Sequence, residues 1–371
     1  MSSSTNTTFG NVFNGTFATR LSDPFEPQDG ARFINALVTS ILVVDSLLAV
    51  LIISTNLVLL VVLLSKPSFR SCLRNRLLVS LVVSNLIVGL LGCPVSADFA
   101  RTRRWVHSCS YHIIHTALTK YVQNFVVVWG MILLLVNYLC RLKSYTGPAV
   151  LLRLPPRVQT CVTILFVLLP WIIAISLTGA MTGIGLHRLV LKSWNNNWCP
   201  IFLEPWATVT MSVIIFALPA ILLVVVLAVV LVVYRRQTLT RSASGTILGD
   251  AETRNDLDDR SPVPERPWVH VAAALLCIIM MAGEEIGKYA LKYSSGSWQR
   301  SVAIFEAMSS LADLLTFVLA LLWLLALKDV RARALEILAM VPVMHCRVNT
   351  SRESSPANTT SVTFKTLREE D

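Results

Sequence analysis

The chain has 371 residues, of which 54% are hydrophobic and only 15% are charged, and its mean hydropathy is +0.64. Soluble domains carry about 25% charged residues, so this composition excludes an ordinary water-soluble globule and favours a membrane protein. The formal net charge of +10 does not indicate nucleic-acid binding, because the basic residues fall in short segments between apolar runs.

Residues 1–36 lack the basic start and apolar core of a cleavable signal peptide, and they are predicted to form an extracellular tail. Asn6 and Asn14 stand in Asn-x-Thr sequons and are candidate glycosylation sites on that tail. Asn349 and Asn358 also match the sequon near the other end of the chain. The sequons alone therefore do not orient the protein.

A membrane-crossing helix needs about 20 mostly apolar residues. Seven stretches meet this requirement: 37–64, 76–98, 112–139, 158–183, 206–234, 268–292 and 302–327. The sequence therefore predicts an all-α membrane protein with a seven-helix bundle over 37–327. A short amphipathic eighth helix and a cytoplasmic tail are predicted over 328–371. Residues 235–266 are polar and punctuated by proline, and they are predicted to form a long mobile inner loop.

The distribution of lysine and arginine orients this predicted bundle. With the N-terminus outside, 21 of the 32 Lys and Arg residues fall on the inner side and 10 on the outer side. Inner loops of membrane proteins carry the excess of basic residues, so the N-terminus is expected to be extracellular and the C-terminus cytoplasmic. The basic run at 101–104 weakens this bias at the first outer loop.

The eight cysteines divide by predicted topology. Only Cys109 and Cys199 lie in or beside outer loops, where disulfides form. If an outer disulfide exists, these two are the natural partners; the alternative is two unpaired thiols.

Motifs in spans one to five resemble those of rhodopsin-like (class A) G-protein-coupled receptors. The segment "NRLLVSLVVSNLIVGLLGCP" is similar to the family pattern N-x-x-x-x-S-L-x-x-x-D-L followed by proline, with Asn85 in place of the usual aspartate. Asn56, Trp171 and Pro219 match the family's asparagine, tryptophan and proline of spans one, four and five. The segment "KDVRARALEIL" resembles the eighth helix, and it implies Cys346 as a palmitoylation site. The resemblance implies a plasma-membrane location, an extracellular ligand, and a heterotrimeric G protein or arrestin as partner.

The family's D-R-Y motif is degenerate here. Cys140-Arg141-Leu142 is the preferred match, because Pro148 follows Arg141 at the family's offset of seven residues. The rival match is Asn137-Tyr138-Leu139, which has more normal spacing from Cys109. In the first match Cys140 replaces the aspartate that restrains the arginine, so Arg141 is expected to favour active-like states. The alternative is an Arg141 that extends to lipid headgroups.

The second half of the chain departs further from the family. Span six lacks C-W-x-P, and span seven lacks N-P-x-x-Y. The lower half of span seven contains no lysine for a retinal Schiff base, so no cofactor is expected. No H-E-x-x-H, G-x-S-x-G or phosphate-loop pattern is present, so neither enzymatic activity nor a resident metal is predicted.

Charged residues inside the predicted spans mark a candidate site. Each costs about 2.5–3.5 kcal/mol to insert into a membrane, so each needs a partner or a function. The candidates for a ligand pocket are Lys120, Gln123, Glu284, Glu285, Glu306 and Asp313. The cation Lys120 favours an acidic small molecule or peptide as ligand over an amine. The alternative is structural pairing, either of Lys120 with one of the acids or of Glu284 with Lys288 on its own helix. His112 and His115, with His107 nearby, are weaker candidates for a zinc site or a pH sensor.

The sequence therefore predicts a divergent class A receptor for an extracellular ligand. A second hypothesis is a seven-span protein that does not signal, such as a scavenger or a chaperone of other receptors. A transporter comes third, because the chain has no internal repeat.

Overall fold

The computed structural model describes residues 28–102, 107–144, 156–185, 203–245, 267–293 and 298–340. These residues are helical almost throughout, as predicted. The α-helices are α1 (Gln28–Leu64), α2 (Pro67–Ser71), α3 (Leu73–Ile87), α4 (Cys93–Thr102), α5 (Cys109–Thr116), α6 (Gln123–Ser144), α7 (Pro156–Gly185), α8 (Pro205–Ser212), α9 (Leu218–Gly245), α10 (Pro267–Tyr293), α11 (Trp298–Ala326) and α12 (Lys328–Met340).

Seven helical stretches are long and apolar enough to cross a membrane, which confirms the seven predicted spans. They are span 1 (Asn35–Leu64), span 2 (Leu73–Thr102), span 3 (Cys109–Leu142), span 4 (Cys161–Gly185), span 5 (Trp206–Leu239), span 6 (Pro267–Gly287) and span 7 (Ala303–Ala326).

Three of these spans contain a π-helical turn that joins two α-helices. The turns are Val88–Gly92 in span 2, Ala117–Val122 in span 3 and Val213–Ala217 in span 5. A π turn takes up one extra residue within a helix, and such turns are common at functional sites.

Two helix boundaries differ from the prediction. Helix α1 already begins at Gln28, inside the predicted tail. Helix α9 continues to Gly245, well into the predicted inner loop, because no glycine or proline interrupts the chain between Pro219 and Gly245. The Gln237 side chain donates a hydrogen bond of 2.8 Å to the carbonyl of Leu142 and ties this extension to span 3.

Span 3 is the central helix of the bundle. Its side chains at Val127, Val128, Met131 and Leu135 are fully buried. Spans 1, 4 and 5 instead carry many exposed apolar side chains, which lipid would cover in a membrane. The fold is therefore a helical bundle with an apolar interior around span 3 and an apolar outer surface.

Two buried polar contacts link span 2 to its neighbours. The Asn85 amide donates to Asn56 Oδ1 of span 1 over 3.3 Å. The Trp171 indole of span 4 donates to Ser80 Oγ over 2.8 Å. These contacts fix the rotation of span 2 about its axis.

Replacing Ser80 by alanine is expected to lower the stability of the purified protein by about 1–2 kcal/mol, because the Trp171 N–H loses its partner. Thermal unfolding in detergent measures the change. The Trp171→Phe variant removes the donor, so adding Ser80→Ala to it should cost little more. Fully additive losses would show that the hydrogen bond does not couple the two spans.

Helix α12 packs on the end of the bundle that is predicted to be cytoplasmic, which we call the inner end, through Val330, which is fully buried. Leu335 and Leu338 stay exposed on its other side, so the predicted eighth helix is amphipathic. Glu336 on this helix accepts from Arg333 at 2.7 Å and pairs with Lys66 at 3.1 Å. These two cations hold the pKa of the Glu336 carboxyl below its usual range.

Candidate functional site

The predicted pocket residues meet around Lys120 near the end of the bundle that is predicted to be extracellular, which we call the outer end. Lys120 lies on the π turn of span 3, and its Nζ is 3.6 Å from Glu284 Oε1 of span 6. The Glu284 side chain is only 6% exposed, whereas that of Lys120 is 32% exposed. The structure thus selects Glu284 as the ion-pair partner of Lys120 from the acids that the sequence offered. Lys288, the alternative partner of Glu284, lies outside the residues whose side chains the structure describes.

Asn124 holds this ion pair in place, although its role was not predicted. Its side-chain N–H group donates to Glu284 Oε2 over 2.7 Å and to the carbonyl of Lys120 over 2.9 Å. Asn124 is 1% exposed, so its amide can satisfy the buried carboxylate where water is scarce. Asn124 follows Lys120 by four residues, so the two side chains lie on one face of the helix. This spacing was the signal in the sequence that could have indicated the role of Asn124.

Three further carboxyl groups lie within electrostatic range of Lys120. Asp313 of span 7 accepts a weak hydrogen bond from Cys93 Sγ over 3.8 Å. Glu306 lies two turns further out on the same helix and is half-buried. Asp45 of span 1 is 4% exposed and lies near Ser96. We call Lys120 and the four carboxyl groups of Asp45, Glu284, Glu306 and Asp313 the outer cluster.

Gln123 and Glu285 flank the outer cluster. Gln123 lies one turn inward from Lys120 and is 2% exposed. Glu285 is half-buried and interacts electrostatically with Tyr121 on span 3. All six predicted pocket residues therefore lie on spans 3, 6 and 7.

Two of the π turns lie at the level of Lys120. The turns of spans 2 and 3 pack against each other, and a Cβ atom on Gly92 would lie 3.7 Å from the Thr119 side chain. This distance is ordinary van der Waals contact, so the packing of the two turns does not depend on glycine at this position. The irregular backbone gathers where the charged side chains are, as at many ligand sites.

The outer histidines do not form a metal site. His107 Nε2 lies 3.4 Å from Asp98 Oδ2 and its ring packs on Tyr111. Among the residues that the structure describes, no group of three His, Cys, Asp or Glu side chains is arranged to hold a metal ion. The zinc-binding hypothesis for His112 and His115 therefore has no structural support in this part of the chain.

A second group of buried polar side chains lies at the inner ends of spans 3, 6 and 7. His270 is 1% exposed and stacks on Tyr138, with ring centroids 4.4 Å apart and planes at 27°. The Trp323 ring meets the other side of His270 edge-on at 5.7 Å and 72°. We call these three rings the inner stack. Sequence reasoning missed it, because His270 is a single polar residue at the end of an apolar run.

The residues of the degenerate motif lie on different sides of span 3. Tyr138 is buried against span 6, while Cys140 and Arg141 are exposed. The Arg141 guanidinium donates to Cys72 Sγ over 2.9 Å. Arg74 of span 2 pairs with Asp329 of α12. Of the two central residues, Tyr138 of the rival match is therefore buried and Arg141 of the preferred match is exposed.

The other predicted residues are placed as follows. Asn56 is fully buried and its amide donates to the carbonyl of Ile52 over 2.8 Å. Asn85 contacts Asn56, and Pro219 follows the π turn of span 5 directly. Both asparagines thus lie between spans 1 and 2.

Several predicted sites lie outside the described residues: Asn6, Asn14, Cys199 and Cys346. Cys109 is buried at the start of α5. The described cysteines without a disulfide are Cys72, Cys93, Cys140, Cys161 and Cys277. The pairing of Cys109 with Cys199 stays a prediction.

The chain matches no protein-family model and no curated protein.

Proposed function

We propose that this protein is a divergent rhodopsin-like receptor that binds an extracellular ligand at the outer cluster and transmits the signal to a G protein or arrestin at the inner face of the plasma membrane. One observation carries the proposal. Spans 3 and 6 are joined at both ends, by Lys120 and Asn124 to Glu284 outside and by Tyr138 to His270 inside.

The two junctions suit a receptor because helices transmit displacement along their length. Lys120 and Tyr138 are roughly 27 Å apart along span 3, and Glu284 and His270 are roughly 21 Å apart along span 6. A ligand that competes for Glu284 would change how the outer ends of the two spans meet. The inner stack then has a second arrangement available, in which span 6 separates from span 3.

The family resemblance gains support from two contacts. Asn56 with Asn85, and Ser80 with Trp171, pair residues that the resemblance assigned independently from sequence patterns. In this proposal the Tyr138 side chain points into the bundle near the cytoplasmic end of span 3, and Arg141 lies beside it on the cytoplasmic surface. The N-terminus is outside and the C-terminus is inside.

The test is basal second-messenger output and arrestin recruitment in cells that express the full chain. In the preferred match Cys140 replaces the aspartate of the family motif, so we expect measurable basal output. Arg141→Ala should lower this output several-fold at equal surface level, because a change of about 1.4 kcal/mol is tenfold in a two-state population. Lys66→Ala, at another exposed inner cation, is the control and should leave output unchanged. Absence of output through every G-protein class and arrestin would contradict the proposal.

A seven-span scavenger or chaperone is the second candidate. The observation that favours it is the exposed position of Arg141, whose guanidinium donates to Cys72 Sγ. In that case Arg141→Ala would change only the amount of protein at the surface. Uptake or partner trafficking, not second messengers, would then depend on the outer cluster.

A further inference from the structure

A groove on the surface of the bundle separates the outer halves of spans 1 and 2. Its volume is about 390 Å³, within the range of about 300–1,000 Å³ that ligand pockets have. Span 1 lines it with Leu42, Ser46 and Ala49, and span 2 lines it with Pro94, Ala97 and Arg101. We call the space between these residues the outer groove. Ser46, Pro94 and Arg101 are exposed, so the outer groove opens to the surroundings of the bundle.

The outer groove has the length and the composition to hold an acyl chain. The lining stretches 42–49 and 94–101 each rise about 10 Å along their helices, out of roughly 15 Å for one leaflet of the hydrocarbon core. Leu42 is the one large apolar side chain of the lining, whereas Ala49, Pro94 and Ala97 are small. Side chains therefore leave the space open, and in a membrane a lipid chain fills it, because water is excluded at this depth.

Arg101 lies at the outer end of the groove, in the last turn of α4. Its side chain is 71% exposed and donates to Asp98 Oδ1 over 2.9 Å. Asp98 also lines the groove, and its other oxygen lies 3.4 Å from His107 Nε2, so both carboxylate oxygens face basic groups of the protein. A guanidinium has five N–H donors and binds phosphate oxygens in pairs, so Arg101 can hold a phosphate while it keeps Asp98.

The charge of the neighbouring sequence favours an anion. The segment 98–107, "DFARTRRWVH", contains three arginines and one aspartate, which gives a net charge of +2 with its histidine neutral. Outer segments of membrane proteins usually carry few basic residues, so membrane orientation does not account for this run. A binding site for an anionic lipid headgroup does account for it. Arg103 and Arg104 lie outside the described residues, so the described part of the groove offers Arg101 as its cation.

We propose that the outer groove binds an anionic phospholipid, with one acyl chain along residues 42–49 and 94–101 and with the phosphate on the Arg101 guanidinium. Lipid that only surrounds the bundle would touch the same residues, but it would not distinguish one headgroup from another. The site lies apart from the outer cluster, and its binding is measured without any signalling readout.

The test is photo-crosslinking of the purified full-length protein in a neutral detergent. The probe is a phosphatidylglycerol with a diazirine in one acyl chain, and peptide mass spectrometry identifies the crosslinked residues, which should fall within 42–49 and 94–101. Unlabelled phosphatidylglycerol should compete in a saturable way. Phosphatidylcholine with the same chains should compete about fivefold less well, the effect of about one charge at a membrane surface. Glycerol phosphate, which has no acyl chain, should not compete.

Two substitutions separate the acyl chain from the headgroup. Ser46→Leu places a large apolar side chain in the groove and should lower crosslinking several-fold. Ser54→Leu makes the same change at an exposed position eight residues further along the same helix and should leave crosslinking unchanged. Arg101→Gln should weaken competition by phosphatidylglycerol about fivefold. Arg32→Gln, at an exposed cation near the start of α1, should leave it unchanged.

Equal competition by phosphatidylcholine and phosphatidylglycerol would overturn the proposal, because the groove would then hold only ordinary surrounding lipid. Competition by glycerol phosphate would also overturn it, since the site would then bind a phosphate without a lipid. Crosslinks spread evenly over the exposed apolar faces of spans 1, 4 and 5 would have the same meaning. These outcomes are measured on the unaltered protein, so they decide the matter even where a variant does not fold.

Discussion

Reversing the charge of Lys120 should nearly abolish the protein at the cell surface. In Lys120→Glu a fifth carboxyl group enters the outer cluster and faces Glu284, whose side chain is only 6% exposed. Removing one partner of a buried ion pair costs about 3–5 kcal/mol. Because the Lys120 side chain is 32% exposed, we expect a cost at the lower end of this range. That loss is a large fraction of the stability of an ordinary domain.

The double variant Lys120→Glu with Glu284→Lys should recover part of the surface level. The swap restores the pair, but it places an ammonium where Asn124 now donates to a carboxylate, so the recovery is incomplete. Surface labelling of intact cells and thermal unfolding in detergent measure both variants.

The exposed pair of Lys66 and Glu336 provides the control. Its side chains are 45% and 50% exposed, so Lys66→Glu should leave the surface level close to that of the parent. Normal surface expression of Lys120→Glu would show that Lys120 extends to the headgroups instead of pairing within the bundle.

Truncating His270 to alanine is expected to destabilise the protein and raise its basal signalling. The ring is 1% exposed and contacts both Tyr138 and Trp323, so its loss removes two aromatic contacts and leaves a cavity. Comparable truncations of buried aromatic residues cost about 3–5 kcal/mol. Because the inner stack joins spans 3, 6 and 7, the arrangement with span 6 separated should gain population.

The His270→Phe variant keeps a ring in the stack and should stay close to the parent in both basal output and melting temperature. Trp268→Ala is the matched control, because Trp268 lies two residues away on the same helix and is 50% exposed. A lower melting temperature for His270→Ala with unchanged basal output would make the stack a structural element only.

The sequence predicted the seven spans because a run of about 20 apolar residues satisfies its backbone hydrogen bonds in a membrane by forming a helix that crosses it. It did not choose among Glu284, Glu285 and Glu306 as partners of Lys120. That choice depends on the rotation of spans 3 and 6, which side-chain packing and the π turn at Ala117–Val122 determine. No periodicity in the sequence reports such a turn.

The inner end of span 3 shows the same limit of prediction from the sequence. Two matches to the arginine motif, centred on Arg141 and on Tyr138, remained open because each satisfied one spacing. They lie three residues apart, so a helix turns them by about 60° relative to each other, enough to bury one and expose the other. Burial against His270 distinguishes them, and that depends on the neighbouring spans.

The π turns also determine where the length of a span can change. Each turn holds one residue more than an α-helical path needs, so losing one residue there restores the regular i→i−4 hydrogen bonds. The helix on either side of the turn keeps its rotation. Lys120 lies within one such turn, and Asn124 lies two residues after its end. The same deletion in the regular part of span 3 would rotate every later side chain by about 100°. Related chains can therefore differ in length at these three places inside the bilayer, so an alignment of their spans requires gaps there.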